Sequence, residues 1–117
     1  MKTFLEFFYF IFGDRAALPA YVNTEKFIII DVRTREEFEE SHVKGALNID
    51  ILQPDFQIEI LKLDKSKTFK VYCRSGNRSS QALQTMNSIG FKDVENLGSL
   101  NQAAKRLSRN CEGKSSC

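Results

Sequence analysis

The sequence predicts an α/β domain with a mainly parallel central sheet and helices on both faces. Three observations carry that reading. Short β-rich runs alternate along the chain with segments of helical periodicity, the order of repeated βαβ units. The run Phe27-Ile28-Ile29-Ile30-Asp31-Val32 is apolar on every residue but one, the pattern of a strand covered on both sides. The size and composition also fit one domain: 117 residues, 42% hydrophobic and 27% charged. A chain of that length buries a core without metal or disulfide staples, and this composition excludes a disordered chain, a collagen-like fibre and a multi-spanning membrane protein.

The elements follow in order. After the first strand, Thr34 stands three residues before Glu37, a capping-box spacing that opens a short helix through Glu36, Glu37 and Phe38. Gly45 leads into a second short strand, Ala46 to Ile49. Asp55 to Leu63 carries Phe56, Ile60 and Leu63 at helical spacing, and Asp64 to Lys67 is a polar turn. Phe69 to Cys73 alternates and is β-rich, so it is a strand ending at Cys73. Ser79, Ala82, Leu83, Met86 and Ile89 mark an amphipathic helix that Gly90 stops. Asp93 to Asn96 is a last short strand. Ser99 and Gln102 form a second capping box before a helix through Leu100, Ala103, Ala104 and Leu107. The domain therefore runs over residues 20–108, between an apolar extension at 1–19 and a polar tail at 109–117.

Seventeen Lys and Arg against fifteen Asp and Glu leave a net charge of +2, and no basic tract occurs. That balance does not suit a nucleic-acid partner, which calls for a clustered basic face. Phe4 to Phe12 is apolar except for Glu6 and is too short to span a bilayer, which takes about 20 residues. The segment reads as a retained docking element, for a second copy of the chain or another surface. Glu6, Asp14 and Arg15, and the lack of an Ala-x-Ala site, argue against a cleaved export signal, so a cytoplasmic location is favoured over a periplasmic one. The cysteines number three, so at least one is outside any intramolecular disulfide. Cys111 and Cys117 read as two spectator thiols of the tail, with a mutual pair as the alternative. No metal or organic cofactor is expected.

The chemistry concentrates in Cys73-Arg74-Ser75-Gly76-Asn77-Arg78-Ser79. A cysteine ends a strand, a short loop follows, and a helix begins. In a parallel sheet, ligands bind at the carboxyl ends of the strands. Backbone N–H groups of such a turn form an anion nest, and the helix N-terminus adds positive potential. Gly76 gives the backbone its freedom, and Arg74 and Arg78 add charge. All of this favours thiolate over thiol, as a nucleophilic cysteine requires.

This loop resembles the active-site loop of rhodanese-domain sulfurtransferases, Cys-x-x-Gly-x-Arg-Ser. Asp31-Val32-Arg33, Glu37-Phe38, His42-Val43, Gly45-Ala46 and Asn48-Ile49 resemble that family's first signature. Gly90-Phe91, Val94, Leu97-Gly98 and Leu100 resemble its C-terminal one. The resemblance covers about residues 27–105 and is nearest to the small phage-shock-type single-domain members. It implies a rhodanese-like fold and a Cys73 persulfide, loaded from thiosulfate or a similar small anionic sulfur donor and unloaded onto cyanide or a thiol. The alternative is a non-catalytic rhodanese-type binding module. Four residues separate Cys73 from Arg78, whereas the cysteine phosphatases have five, and Tyr72 stands where those enzymes often have His. Ser41, Ser99 and Ala103 depart from the family's usual Gly, Gly and Trp.

Asp31 and Arg33 are expected to support the site. Asp31 is read as pairing with a loop arginine, Arg78 first, and Arg33 as bridging to Glu37. His42, the sole histidine, is read as structural rather than as a general base.

Overall fold

A computed structural model describes residues 26–117 of the chain. The expectations for the apolar extension at 1–19 lie outside these residues. Four strands, β1 (Ile28–Asp31), β3 (Leu47–Asn48), β4 (Thr68–Cys73) and β5 (Asp93–Ser99), make a parallel sheet in the order β3-β1-β4-β5. The helices among the described residues are α1 (Arg35–Glu40), α2 (Phe56–Ile60), α3 (Asn77–Ser88) and α4 (Leu100–Leu107). A separate antiparallel ribbon joins β2 (His42–Val43) to β6 (Cys111–Glu112).

The sheet is covered on both faces. Ile28, Ile30, Phe69, Val71 and Cys73 pack with Phe56 and Ile60 of α2 and Ala82 and Met86 of α3. Ile29 and Tyr72 pack the opposite way, with Ala103 and Ala104 of α4 and with Phe38 of α1. Every residue of β1 is buried, which is why its sequence shows no alternation. Both capping boxes form: Thr34 with Glu37 opens α1, and Ser99 with Gln102 opens α4.

Two features differ from expectation. β5 runs past Asn96 to Ser99, through a bulge. Val71 pairs with Asn96 but Tyr72 with Gly98, so Leu97 is an extra residue on that strand. The larger difference lies after residue 108. Cys111 and Cys117 are not spectator thiols; they are joined in a disulfide. The segment around them completes the end of α1. A helix leaves its last four carbonyls unpaired, and here each has a donor. Ser41 N–H donates to Glu37 O, His42 Nδ1 lies 2.7 Å from Phe38 O, Lys114 N–H donates to Glu39 O and Ser115 N–H to Glu40 O. Gly113 permits this approach: at φ +127°, a Cβ there would lie 2.8 Å from both Glu39 O and Glu40 O. The tail is thus stitched to a helix 75 residues away in sequence, a partnership with no local pattern to announce it.

Candidate active site

β4 delivers Cys73 to the carboxyl edge of the sheet. Its alternation aims Phe69, Val71 and Cys73 at α2 and α3, and Cys73 has no exposed surface. Gly76, at φ +100°, turns the chain into α3 and directs its own N–H at Cys73 Sγ, 2.9 Å away. An L-residue with a side chain resists that backbone conformation. The fully buried Ser79 hydroxyl lies 3.3 Å from the same sulfur. Burial pushes the Cys73 thiol up. The Ser79 hydroxyl and the backbone N–H groups of Ser79, Gly76 and Ser75 outweigh it, and the thiol is more acidic than usual.

The loop is fastened on two sides. On one, Arg78 makes a double ion pair with Glu37 of α1: Nη1 to Oε1 at 2.7 Å and Nη2 to Oε2 at 3.0 Å. Hydrogen bonding to Arg78, with help from Thr34, holds the Glu37 carboxyl down at about 2 against the burial that opposes it. On the other, Asn96 of β5 reaches the loop: its Nδ2 donates to Gly76 O at 3.2 Å, and its Oδ1 accepts from Ser79 Oγ at 2.7 Å.

The structure corrects two expected pairings. Asp31 does not pair with Arg78. Its buried carboxylate is wrapped by Arg33, whose backbone N–H, Nε and Nη2 donate to it at 2.7–3.1 Å. Arg33 therefore does not bridge to Glu37; its spare Nη2 donor goes to Ser41 O at 2.5 Å. A carboxylate at a strand exit is in reach of a donor two residues on, and this local chelate satisfies a buried charge more completely than a distant loop would. Asn48 Nδ2 adds hydrogen bonds to Asp31 O and Arg33 O, fixing the backbone beneath the pair.

Arg74 is exposed and makes no ion pair or hydrogen bond among the described residues, so it is the loop's available cation. Ser75 is exposed and Asn77 opens α3. His42 stacks on Phe38, its Nδ1 committed to the Phe38 carbonyl, and no hydrogen bond joins it to the Cys73 loop among the described residues. Glu37 and Asn96 are the site residues that sequence reasoning missed. Glu37 was read as a cap and as the partner of Arg33, and its grip on Arg78 was not foreseen, while Asn96 is aimed at the loop by a bulge that no local pattern marks.

The rhodanese-like domain family model matches residues 14–105. The chain belongs to the rhodanese-like family. It is 40% identical over 75 residues to thiosulfate sulfurtransferase PspE of Escherichia coli strain K12, covering 64% of this chain and 72% of that protein. It is 34% identical over 76 residues to thiosulfate sulfurtransferase GlpE of Coxiella burnetii, covering 65% of this chain and 69% of that one. Among solved structures, a rhodanese with anions from E. coli superposes with a TM-score of 0.57 at 38% identity, over 65% of this chain and 89% of that one. The fold is thus the rhodanese fold, as the motifs imply, and the relatives support sulfurtransferase activity in general.

Proposed function

We propose that this rhodanese-like domain is a thiosulfate sulfurtransferase working through a persulfide on Cys73. The Cys73 thiolate attacks the outer sulfur of thiosulfate. A new S–S bond forms, the old one breaks, and sulfite leaves with the electron pair. The enzyme now carries Cys73–S–S⁻. Cyanide or a thiolate then attacks the outer sulfur, leaving as thiocyanate or as a persulfide and returning the Cys73 thiolate. Two nucleophilic displacements at sulfur need no external oxidant.

The observation that carries this reading is the set of donors converging on Cys73 Sγ, from Gly76 N–H and the Ser79 hydroxyl, at the mouth of the sheet. Such a cradle stabilises the anion before loading and the persulfide after it. Arg74, without an ion pair or hydrogen bond among the described residues, supplies the charge that draws a small dianion to the loop. The complete burial of Cys73 is the one feature that favours a non-catalytic binding module, since a donor reaches the sulfur only when the loop parts.

Intact and peptide mass spectrometry after incubation with thiosulfate separates the two. The expected result is one added sulfur on the peptide holding Cys73, absent in Cys73→Ala. No gain in a folded sample with a free Cys73 thiol removes thiosulfate as donor and favours the binding module. A gain on Cys111 or Cys117 assigns the chemistry to the wrong cysteine.

A further inference from the structure

The Ser79 hydroxyl has one proton and three acceptors around it. Asn96 Oδ1 lies at 2.7 Å, Gly76 O at 3.1 Å and Cys73 Sγ at 3.3 Å. The side-chain amide of Asn96 has only one workable orientation. Its Oδ1 accepts the Gly98 N–H at 2.8 Å, and its Nδ2 donates to Gly76 O at 3.2 Å. An oxygen at 2.7 Å from the hydroxyl is therefore an acceptor, and it competes with the sulfur for a single proton.

This competition is built by the β5 bulge. Asn96 pairs with Val71, and Leu97 is inserted before Gly98 resumes the pairing opposite Tyr72. The N–H of Gly98, just past the bulge, donates to Asn96 Oδ1, which holds the amide beside the Cys73 loop. Gly98 itself, at φ +92°, is in the left-handed region that this turn demands.

We propose that Asn96 is a positioning residue that sets the acidity of Cys73 by competing for the Ser79 proton. With a bare thiolate on Cys73, charge sits on Sγ, and the hydroxyl turns toward the sulfur. Once a second sulfur is attached, the charge moves outward and Sγ becomes a poor acceptor. The hydroxyl then turns to Asn96 Oδ1, and no bond is made or broken apart from the hydrogen bond. Asn96 gives the proton a place to rest in the loaded state, which weakens the hold on the bare thiolate and favours loading. The proposal rests on the Cys73 persulfide reading above.

The test is a double-mutant cycle between Asn96→Leu and Ser79→Ala. It is read as the pH titration of thiolate ultraviolet absorbance in the protein with its Cys111–Cys117 disulfide intact, where Cys73 is the free cysteine. Leucine keeps the branching of asparagine at Cγ without its polar atoms, and thermal melts establish that each variant is folded. With Ser79 present, Asn96→Leu removes the nearest competitor and leaves the hydroxyl to the sulfur and to Gly76 O, so the Cys73 midpoint falls by about half a unit, roughly threefold in thiolate fraction. In the Ser79→Ala background, where the midpoint is already raised, the same substitution leaves it in place. A midpoint that rises or stays still in Asn96→Leu overturns the proposal, and so does a fall of equal size in both backgrounds, which would show action independent of the hydroxyl. Should Asn96→Leu fail to fold, Asn96→Ser is carried through the same cycle, with the same outcomes deciding. Sulfur loading of the unsubstituted protein, followed by mass, separates failure of this proposal from failure of the persulfide reading.

Discussion

Glu37→Gln removes the charge of the Arg78 partner while keeping its shape. Glutamine still accepts the Thr34 N–H and still serves as the third residue of a capping box, so α1 retains its start. The loss is then confined to the ion pair. Two routes give its size. The pair is double, at 2.7 and 3.0 Å, and both side chains are about one-quarter exposed. Such a pair stands between an exposed one, worth up to about 1 kcal/mol, and a fully buried one, whose breaking costs about 3–5 kcal/mol. Alternatively, the Glu37 carboxyl falls from 4.5 to about 2. At 1.36 kcal/mol per unit that is about 3 kcal/mol, part of it owed to Thr34 and retained by glutamine. Both routes converge on about 2 kcal/mol, or a melting temperature lower by about 10 °C in a domain of this size.

The pH dependence gives the sharper test. A carboxyl whose folded pKa is depressed contributes its stability above the unfolded value and loses it as pH falls through the folded one. The gap between the unsubstituted protein and Glu37→Gln should therefore be full above pH 5 and narrow between 4.5 and about 2. Circular-dichroism melts across that range measure it directly. A difference under about 2 °C at neutral pH, or one that persists undiminished to pH 2, would refute the reasoning.

Arg74→Gln should raise the KM for thiosulfate about tenfold, the equivalent of about 1.4 kcal/mol, and flatten its dependence on salt; an unchanged KM would remove Arg74 from donor capture. Ser41 Oγ is buried without a hydrogen-bond partner among the described residues, so Ser41→Ala should stabilise the domain by about 1 kcal/mol, seen as a melting temperature raised by about 5 °C. Its backbone, at φ −166°, is extended and accepts alanine freely. Joint replacement of Cys111 and Cys117 by Ser reopens a loop of sequence separation 6 and should cost about 2 kcal/mol by denaturant titration, with sulfur loading of Cys73 preserved.

What the sequence made legible follows from range. Capping boxes, the buried β1 run and the strand-loop-helix around Cys73 are encoded within a few residues of each other, and each forms where the pattern places it. The site was half legible for the same reason. Cys73, Gly76 and Ser79 converge through the geometry of one loop. The partners of the charged residues were not legible, because a charge can be satisfied by any opposite charge the fold brings near. Asp31 took the donor two residues away, and Arg78 took a carboxylate 41 residues away. The β2–β6 ribbon was invisible because two-residue strands carry no periodicity, and a cysteine pair in a polar tail reads the same whether joined or free.

The helix α1 links these pieces physically. Its N-terminal turn contains Glu37, which caps the helix and grips Arg78 of the Cys73 loop with the same carboxylate. Its C-terminal carbonyls are closed by Ser41, His42, Lys114 and Ser115. A six-residue helix has too few internal hydrogen bonds to be stable alone, so its position depends on both ends. Loosening the C-terminal end should therefore reach the loop through Glu37. Gly113→Ala drives a Cβ against Glu39 O and Glu40 O in a backbone conformation alanine resists, and displaces the donors that follow it. The expected outcome is a double change in one variant: faster amide exchange in α1, and a wider solvent opening of Cys73 measured by its alkylation rate. Faster exchange in α1 with an unchanged alkylation rate would show that Glu37 transmits nothing, and that the loop is held from the β5 side alone.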